Sequence, residues 1–129
     1  GGLGFAFLSC LNADLQPGIG LVLDAVDMEK TMEGADLVFT GEGRLDGQTA
    51  MGKAPVGIAA LAKKHGARVV ALAGAVIKGA ETCNENGIDA FFPILRRIMT
   101  LDEAMEPEQA KENMIRTTEQ IMRLIAAFR

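Results

Sequence analysis

The sequence has no tryptophan and no tyrosine, and its six phenylalanines make aromatics only 5% of the chain. A platform on which single-stranded nucleic acid stacks needs successive aromatic faces, so that class of function is poorly supported. Positive charge is also scarce: thirteen Lys and Arg against seventeen Asp and Glu leave a net charge of −4. Binding along a phosphate backbone requires clustered cations, and no nucleic-acid partner is expected. A small anionic substrate stays open, because a local cationic site can sit on an acidic protein. Only two cysteines occur, Cys10 and Cys83, with no CxxC spacing. They read as reduced structural thiols of a cytoplasmic protein. The one histidine, His65, stands at the end of a predicted helix without a cysteine or carboxylate at ligand spacing. The apolar runs are too short to span a membrane, and the N-terminus lacks the basic start and cleavage site of a signal peptide, so no membrane partner is expected.

What is present is an ordered globular composition, 49% hydrophobic and 23% charged over 129 residues. That length predicts a single domain, residues 1–129, able to bury a core. Helical spacing of Leu3, Phe7, Cys10 and Leu11 stops before Asp14-Leu-Gln-Pro-Gly18. Ile19 to Met32 reads as one or two helical pieces ended by Gly34. Leu37 to Thr40 and Val69 to Ala73 are continuous apolar runs that predict buried strands, and Ile88 to Ile94 predicts a third. Pro55 opens a helix running to about Lys64 and stopped by Gly66. A short helix covers about Ala80 to Asn86. Thr100 and Glu103 match a capping box. The last helix starts near Pro107, with Met114, Thr118, Ile121, Ile125 and Phe128 expected inside and Glu112–Arg116 and Glu119–Arg123 paired outside.

Strands alternating with helices predict a Rossmann-like three-layer α/β fold, a parallel sheet with flanking helices. Three strands are few for such a fold. The chain also begins at Gly1-Gly2-Leu3-Gly4-Phe5, already inside apolar material. Both features suggest a fragment of a larger two-domain protein, continued at the N-terminal side.

One stretch concentrates functional groups. Leu37-Val-Phe-Thr40 leads into Gly41, Glu42, Gly43, Arg44, Asp46, Gly47, Gln48, Thr49 and Lys53. A strand emptying into a glycine-rich polar turn before a helix is how open α/β folds build ligand sites. Gly47 to Ala54 nearly matches the P-loop, but Ala54 lacks the required hydroxyl and the predicted strand ends too early. Asp46 displaces the third glycine of a dinucleotide fingerprint. What remains suits an anion: amides of Gly41 and Gly43 in a nest, Arg44 gripping a carboxylate in bidentate fashion, and Lys53 as a point charge beside a helix N-terminus. Asp46 or Glu42 could accept a hydroxyl proton or help hold Mg²⁺. A blander alternative makes the segment a tight turn, with Asp46 capping the next helical piece and Arg44 paired to Glu42. Elsewhere Lys63, Lys64 and Arg68 read as a solvated rim, and the seven dispersed methionines as core filler. Asp24, on an apolar helix, is expected to cap or pair.

The run Thr40-Gly-Glu-Gly-Arg-Leu-Asp46 resembles the glycerate kinase family of the bacterial glycerate 2-kinase type. Gly1-Gly2-Leu3-Gly4, Leu15-Gln-Pro-Gly-Ile19, Gln48-Thr49, Gly52-Lys-Ala-Pro55, Gly57, Ala73-Gly74, Gly87-Ile-Asp-Ala90 and Thr100-Leu-Asp-Glu-Ala104 continue the resemblance in order. The family often has Ser where Gly47 stands. The resemblance covers the family's C-terminal portion only, so the N-terminal portion is expected to be missing and this piece to be inactive alone. It implies ATP-dependent phosphorylation of D-glycerate to 2-phosphoglycerate, or to 3-phosphoglycerate in relatives, with ATP and Mg²⁺ as cofactors. On that basis Asp46 is the base or orienting residue, Arg44 meets the glycerate carboxylate, and Lys53 with the Gly41 and Gly43 amides faces phosphate. Thr40, Glu42, Gln48 and Thr49 complete the substrate- or phosphate-binding set, with Glu42 the metal candidate. A noncatalytic anion- or nucleotide-binding module and a structural subunit completing another chain's sheet are the rivals. A homodimer through a sheet edge is the oligomer left open.

Overall fold

The computed structural model describes residues 2–128. Three parallel strands, β1 (Leu37–Leu45), β2 (Arg68–Val76) and β3 (Ala90–Pro93), form one sheet in the order β1-β2-β3. Around them run α1 (Leu3–Leu11), α2 (Gly18–Ala25), α3 (Met28–Met32), α4 (Ala54–Lys64), α5 (Thr82–Glu85), α6 (Leu101–Met105) and α7 (Pro107–Ala127).

The central strand is buried on both faces because β2 alternates between two cores. Val69, Ala71 and Ala73 face a cluster containing Met32, Ala59, Ala62 and Ile88, under α3 and α4. Val70 and Leu72 face Ile94 and Ile121, under α7. Strand residues two apart share a face, so a continuous apolar run in a central strand feeds both layers. The α/β expectation of a parallel sheet between helices is what the chain adopts.

Local chemistry explains the helix limits. Pro55 sits in the first turn of α4, where its missing N–H leaves no bond unmade. Gly66, at φ 75°, lets the chain leave that helix in a left-handed conformation. Gly57 lets α2 lie on α4, since a Cβ there would run into Ile19. The capping box is complete: Thr100 Oγ1 accepts from the Glu103 N–H, and the Thr100 N–H donates to the Glu103 carboxylate at 2.7 Å. The Glu112–Arg116 and Glu119–Arg123 pairs form on the outside of α7.

Several expectations need correction. β1 does not stop at Thr40. It continues through Gly41, Glu42 and Arg44 to Leu45, because Leu72, Ala73, Ala75 and Val76 of β2 supply partners along its whole length. β3 is shorter than expected, since the Ile88 N–H bonds to the Cys83 carbonyl and closes the preceding helix. That helix, α5, is correspondingly confined to Thr82–Glu85. Met114 and Phe128 are exposed, and the inner face of α7 is instead built on Asn113, Thr117, Thr118, Ile121 and Ile125. Cys83 is buried, but Cys10 is exposed on α1, a helix with no buried residue, so Cys10 is not a structural thiol here. Asp24 is exposed and enters no ion pair among the described residues. No helix of the described residues is long and apolar enough to cross a membrane.

Candidate functional site

The extension of β1 carries Arg44 to the carboxyl end of the sheet and delivers Asp46 just beyond it. There the chain folds back on the Asp46 carboxylate. Oδ1 accepts from the Gln48 N–H at 3.0 Å and the Thr49 N–H at 3.1 Å, with the Thr49 hydroxyl at 3.3 Å. The Asp46 N–H in turn donates to Thr49 Oγ1 at 3.2 Å. These bonds fix the start of a 3₁₀ turn, Thr49–Met51, which hands over through Gly52 and Lys53 to α4. An acid followed three residues later by a threonine satisfies backbone donors that the tight turn would otherwise leave unpaired.

Two cations close on the same carboxylate. Arg44 Nε lies 3.4 Å from Oδ2 and Lys53 Nζ 3.6 Å from Oδ1. Asp46 is only 7% exposed, whereas the Arg44 and Lys53 side chains are 65% and 40% exposed. The anion is inside and the cations face out. Burial, the largest single influence, pushes the Asp46 carboxyl up. Lys53, the Gln48 and Thr49 amides and the Thr49 hydroxyl together outweigh it and hold the group below the ordinary carboxylate value.

This geometry redistributes the expected roles. Asp46 does cap the following turn, as the blander reading had it, but Arg44 pairs with Asp46 and not with Glu42. The Glu42 carboxylate turns back to the Gly43 N–H at 3.3 Å. Gly41 and Gly43 lie on a strand, so the expected turn-shaped nest of their amides is not formed. Thr49 is fully buried and offers a ligand no surface; Thr40 is buried as well. Gln48 is exposed beside the loop. The P-loop exclusion also changes its ground. The strand does reach the loop, but the amides of Gln48 and Thr49 are occupied by the Asp46 carboxylate and not left free for phosphate.

The structure adds a second loop that sequence alone did not bring here. The Ile77 N–H donates to the Leu45 carbonyl at 3.0 Å, and Gly79 lies so close to Gly47 that a Cβ on it would approach the Gly47 nitrogen to 3.1 Å. Lys78, between them, is exposed at the rim. Its signal was topological: it follows β2 as Lys53 follows β1. Cys83 packs behind the loop, where burial, and then the Asp46 charge, push its thiol up. His65, read as partnerless, has Glu29 Oε1 3.7 Å from its Nε2, a contact between α3 and α4 remote in sequence.

On the α7 side of the same strand ends a cavity of about 890 Å³ opens between β1, β2, α6 and α7. For a metal, no group of three or more His, Cys, Asp or Glu side chains is assembled among the described residues. Glu42 alone fits only an ion held mainly by substrate phosphates, a common arrangement for magnesium.

Comparison with known proteins gives this geometry its family. The glycerate kinase family pattern matches residues 1–126. The chain is 47% identical over 119 residues to a glycerate kinase of Halalkalibacterium halodurans, covering 88% of this chain and 31% of that protein. It is 39% identical over 126 residues to the glycerate 2-kinase of Escherichia coli strain K12, covering 98% of this chain and 32% of that protein. A crystal structure described as glycerate kinase 2 from Salmonella typhimurium LT2 superposes with a TM-score of 0.66 at 34% identity, covering 98% of this chain and 30% of that one. The chain thus spans about a third of the length of these relatives, and across that span it belongs to the glycerate kinase family.

Proposed function

We propose that this chain supplies part of a site for ATP-dependent phosphorylation of D-glycerate, giving 2-phosphoglycerate or 3-phosphoglycerate, in a cytoplasmic enzyme. One observation carries the reading: two solvent-facing cations are gathered on one buried carboxylate at the carboxyl end of a parallel sheet. Phosphoryl transfer asks the protein chiefly for positioning and for compensation of negative charge, and both needs are met by cations whose side chains are already aimed.

In this reading Arg44, with its planar fork, holds the glycerate carboxylate and Lys53 faces the transferring phosphoryl group. Lys78 adds a third cation at the rim. Asp46 keeps Arg44 and Lys53 in place. Its lowered pKa and the commitment of Oδ1 to the Gln48 and Thr49 amides suit that orienting role better than the removal of a hydroxyl proton. Glu42 would hold Mg²⁺ together with substrate phosphates, and the metal would supply charge neutralisation. Gly41 and Gly43 keep side chains away from the approach.

The decisive assay measures glycerate phosphorylation by this chain alone and with the N-terminal portion of a family member supplied. No appreciable turnover alone and restored turnover in the mixture is the expected result. A noncatalytic anion- or nucleotide-binding module is the second reading, favoured by the commitment of the loop amides to Asp46. Tight glycerate or nucleotide binding without turnover in the reconstituted protein would select it.

A further inference from the structure

The cavity on the α7 side has no role in the site as built above, yet it adjoins that site along β1. Its floor is a consequence of three glycines. Leu37 and Phe39 of β1 and Val70 and Leu72 of β2 face α7, and beyond them Gly41, Gly43 and Gly74 line the cavity. A Cβ on Gly74 would come 2.7 Å from the Gly43 carbonyl oxygen, so no side chain fits there. A Cβ on Gly43 would meet nothing within 4 Å and would project into open space. Of the three, Gly43 alone has room for a side chain; at Gly41 and Gly74 a Cβ would meet the neighbouring strand's backbone, so the strand ends stay bare.

The walls are apolar and adaptable. Phe39, Leu72 and Ile94 form the sheet side, and Ala104 of α6 and Ala110 of α7 form the opposite side. Three of the seven methionines, Met99, Met105 and Met114, stand around this one cavity. Dispersed in sequence, they converge in space. Met105 and Met114 are exposed, so they are not the core filler that the sequence suggested. Thioether side chains adapt to flat π-systems and make favourable contacts at ring edges. The volume falls within the roughly 300–1,000 Å³ typical of small-molecule sites, which are mainly apolar with a few polar groups.

We propose that this cavity binds the purine base of a nucleotide, laid over the Gly41–Gly43–Gly74 floor and edged by Met99, Met105 and Met114. The inference rests on the phosphotransfer reading above, which names two reactants. Glycerate is small and polar throughout and would leave its hydroxyls unpaired among these walls. In that reading Lys53 faces the phosphates and Arg44 the glycerate carboxylate, both at the carboxyl end of β1. The base is the one part of either reactant that is flat and largely apolar. Thr40, Glu42 and Thr100 on the lining supply polar edges for its ring nitrogens.

The test uses methionine ¹³C-methyl NMR with adenosine, which carries the base without phosphate, as the probe. Ring-current displacement of the Met99, Met105 and Met114 methyls is expected, with Met28, Met32, Met51 and Met122 unmoved. Ala104→Phe, which fills the cavity, should weaken adenosine about tenfold or more by overpacking its place. Met114→Ala, at an exposed helical position, gives a second variant with a milder weakening should the first not fold. Three unmoved methyls at millimolar adenosine would overturn the proposal. So would their displacement on raising protein concentration alone, together with a dimer in sedimentation, because a second copy would then be the occupant. Tripolyphosphate, titrated separately against the Gln48–Lys53 amides, reports on the phosphate loop. Its failure with adenosine still bound would count against the loop assignment and not against the cavity.

Discussion

Two aspartates sit at opposite ends of the sheet; each gathers two cations, Asp89 with one backbone amide and Asp46 with two. At the amino end, Asp89 Oδ2 accepts the Val69 N–H at 2.6 Å and directly contacts Lys63 Nζ, while Arg68 stands 3.5 Å from Oδ1. At the carboxyl end, Asp46 spends its best hydrogen bonds on Gln48 and Thr49 and holds Arg44 and Lys53 at 3.4 and 3.6 Å. The first arrangement ties one cation tightly and joins α4, β2 and the start of β3. The second is tight toward its own backbone and loose toward its cations. An ion pair at that separation is weak, which leaves Arg44 and Lys53 able to take an anionic ligand. The same residue types thus make a tight clamp at one end and a looser, outward-facing cluster at the other.

The largest effect expected to separate the two is on activity. In the reconstituted enzyme, Asp46→Asn should lower glycerate kinase turnover about 100-fold, the size expected when positioned groups lose their geometry. Asp89→Asn should leave turnover within a factor of two or three. Equal losses from both, measured at saturating substrate, would erase the distinction. Next in size, Thr49→Val strands the buried Asp46 N–H and should cost about 1–3 kcal/mol in chemical denaturation, with Thr49→Ser restoring most of it. Asp89→Ala should cost about 1–2 kcal/mol, the lower end for charge-assisted bonds at a partly exposed site, without changing KM.

Acid should act on both ends. At Asp89 burial, the largest influence, raises the carboxyl, but the Lys63 hydrogen bond, the Val69 amide and the two cationic charges outweigh it, so the group lies below its ordinary 3.8, as Asp46 does. A folded-state value below the unfolded one contributes stability that is full above the unfolded value and disappears as pH falls through the folded one. The melting temperature should therefore drop below about pH 4, and the Asp46→Asn, Asp89→Asn double variant should show a shallower acid limb. The smallest effect is chemical: a thiol reagent should modify exposed Cys10 at once and buried Cys83 only on unfolding.

Much of this was legible in the residues because it is local. Pro55, Gly66 and the Thr100–Glu103 box mark helix limits within one turn of chain, and the apolar run of β2 carries its own burial, whereas Leu37–Phe39 of β1, at the sheet edge, is only half-buried. The Asp46 cap was readable for the same reason, its partners lying two and three residues on. What stayed hidden depends on distant neighbours. Gly41-Glu-Gly-Arg44 has the composition of a turn and becomes strand only because β2 extends alongside it, a tertiary override of weak β propensity. Lys63 and Arg68 read as a solvated rim, since Asp89 lies 26 residues beyond Lys63. The convergence of Met99, Met105 and Met114 needs the packing of α6 and α7 over the sheet, which no periodicity within one element reveals.

The Asp46 carboxylate occupies the loop amides, and Gly79, in the loop after β2, braces the same turn. The site is therefore preorganised. Arriving substrate would not have to order the backbone between Asp46 and Lys53, and the entropy of that ordering belongs to folding and not to binding. Affinity and turnover at this end should then track the placement of two side-chain cations, with the backbone beneath them already set.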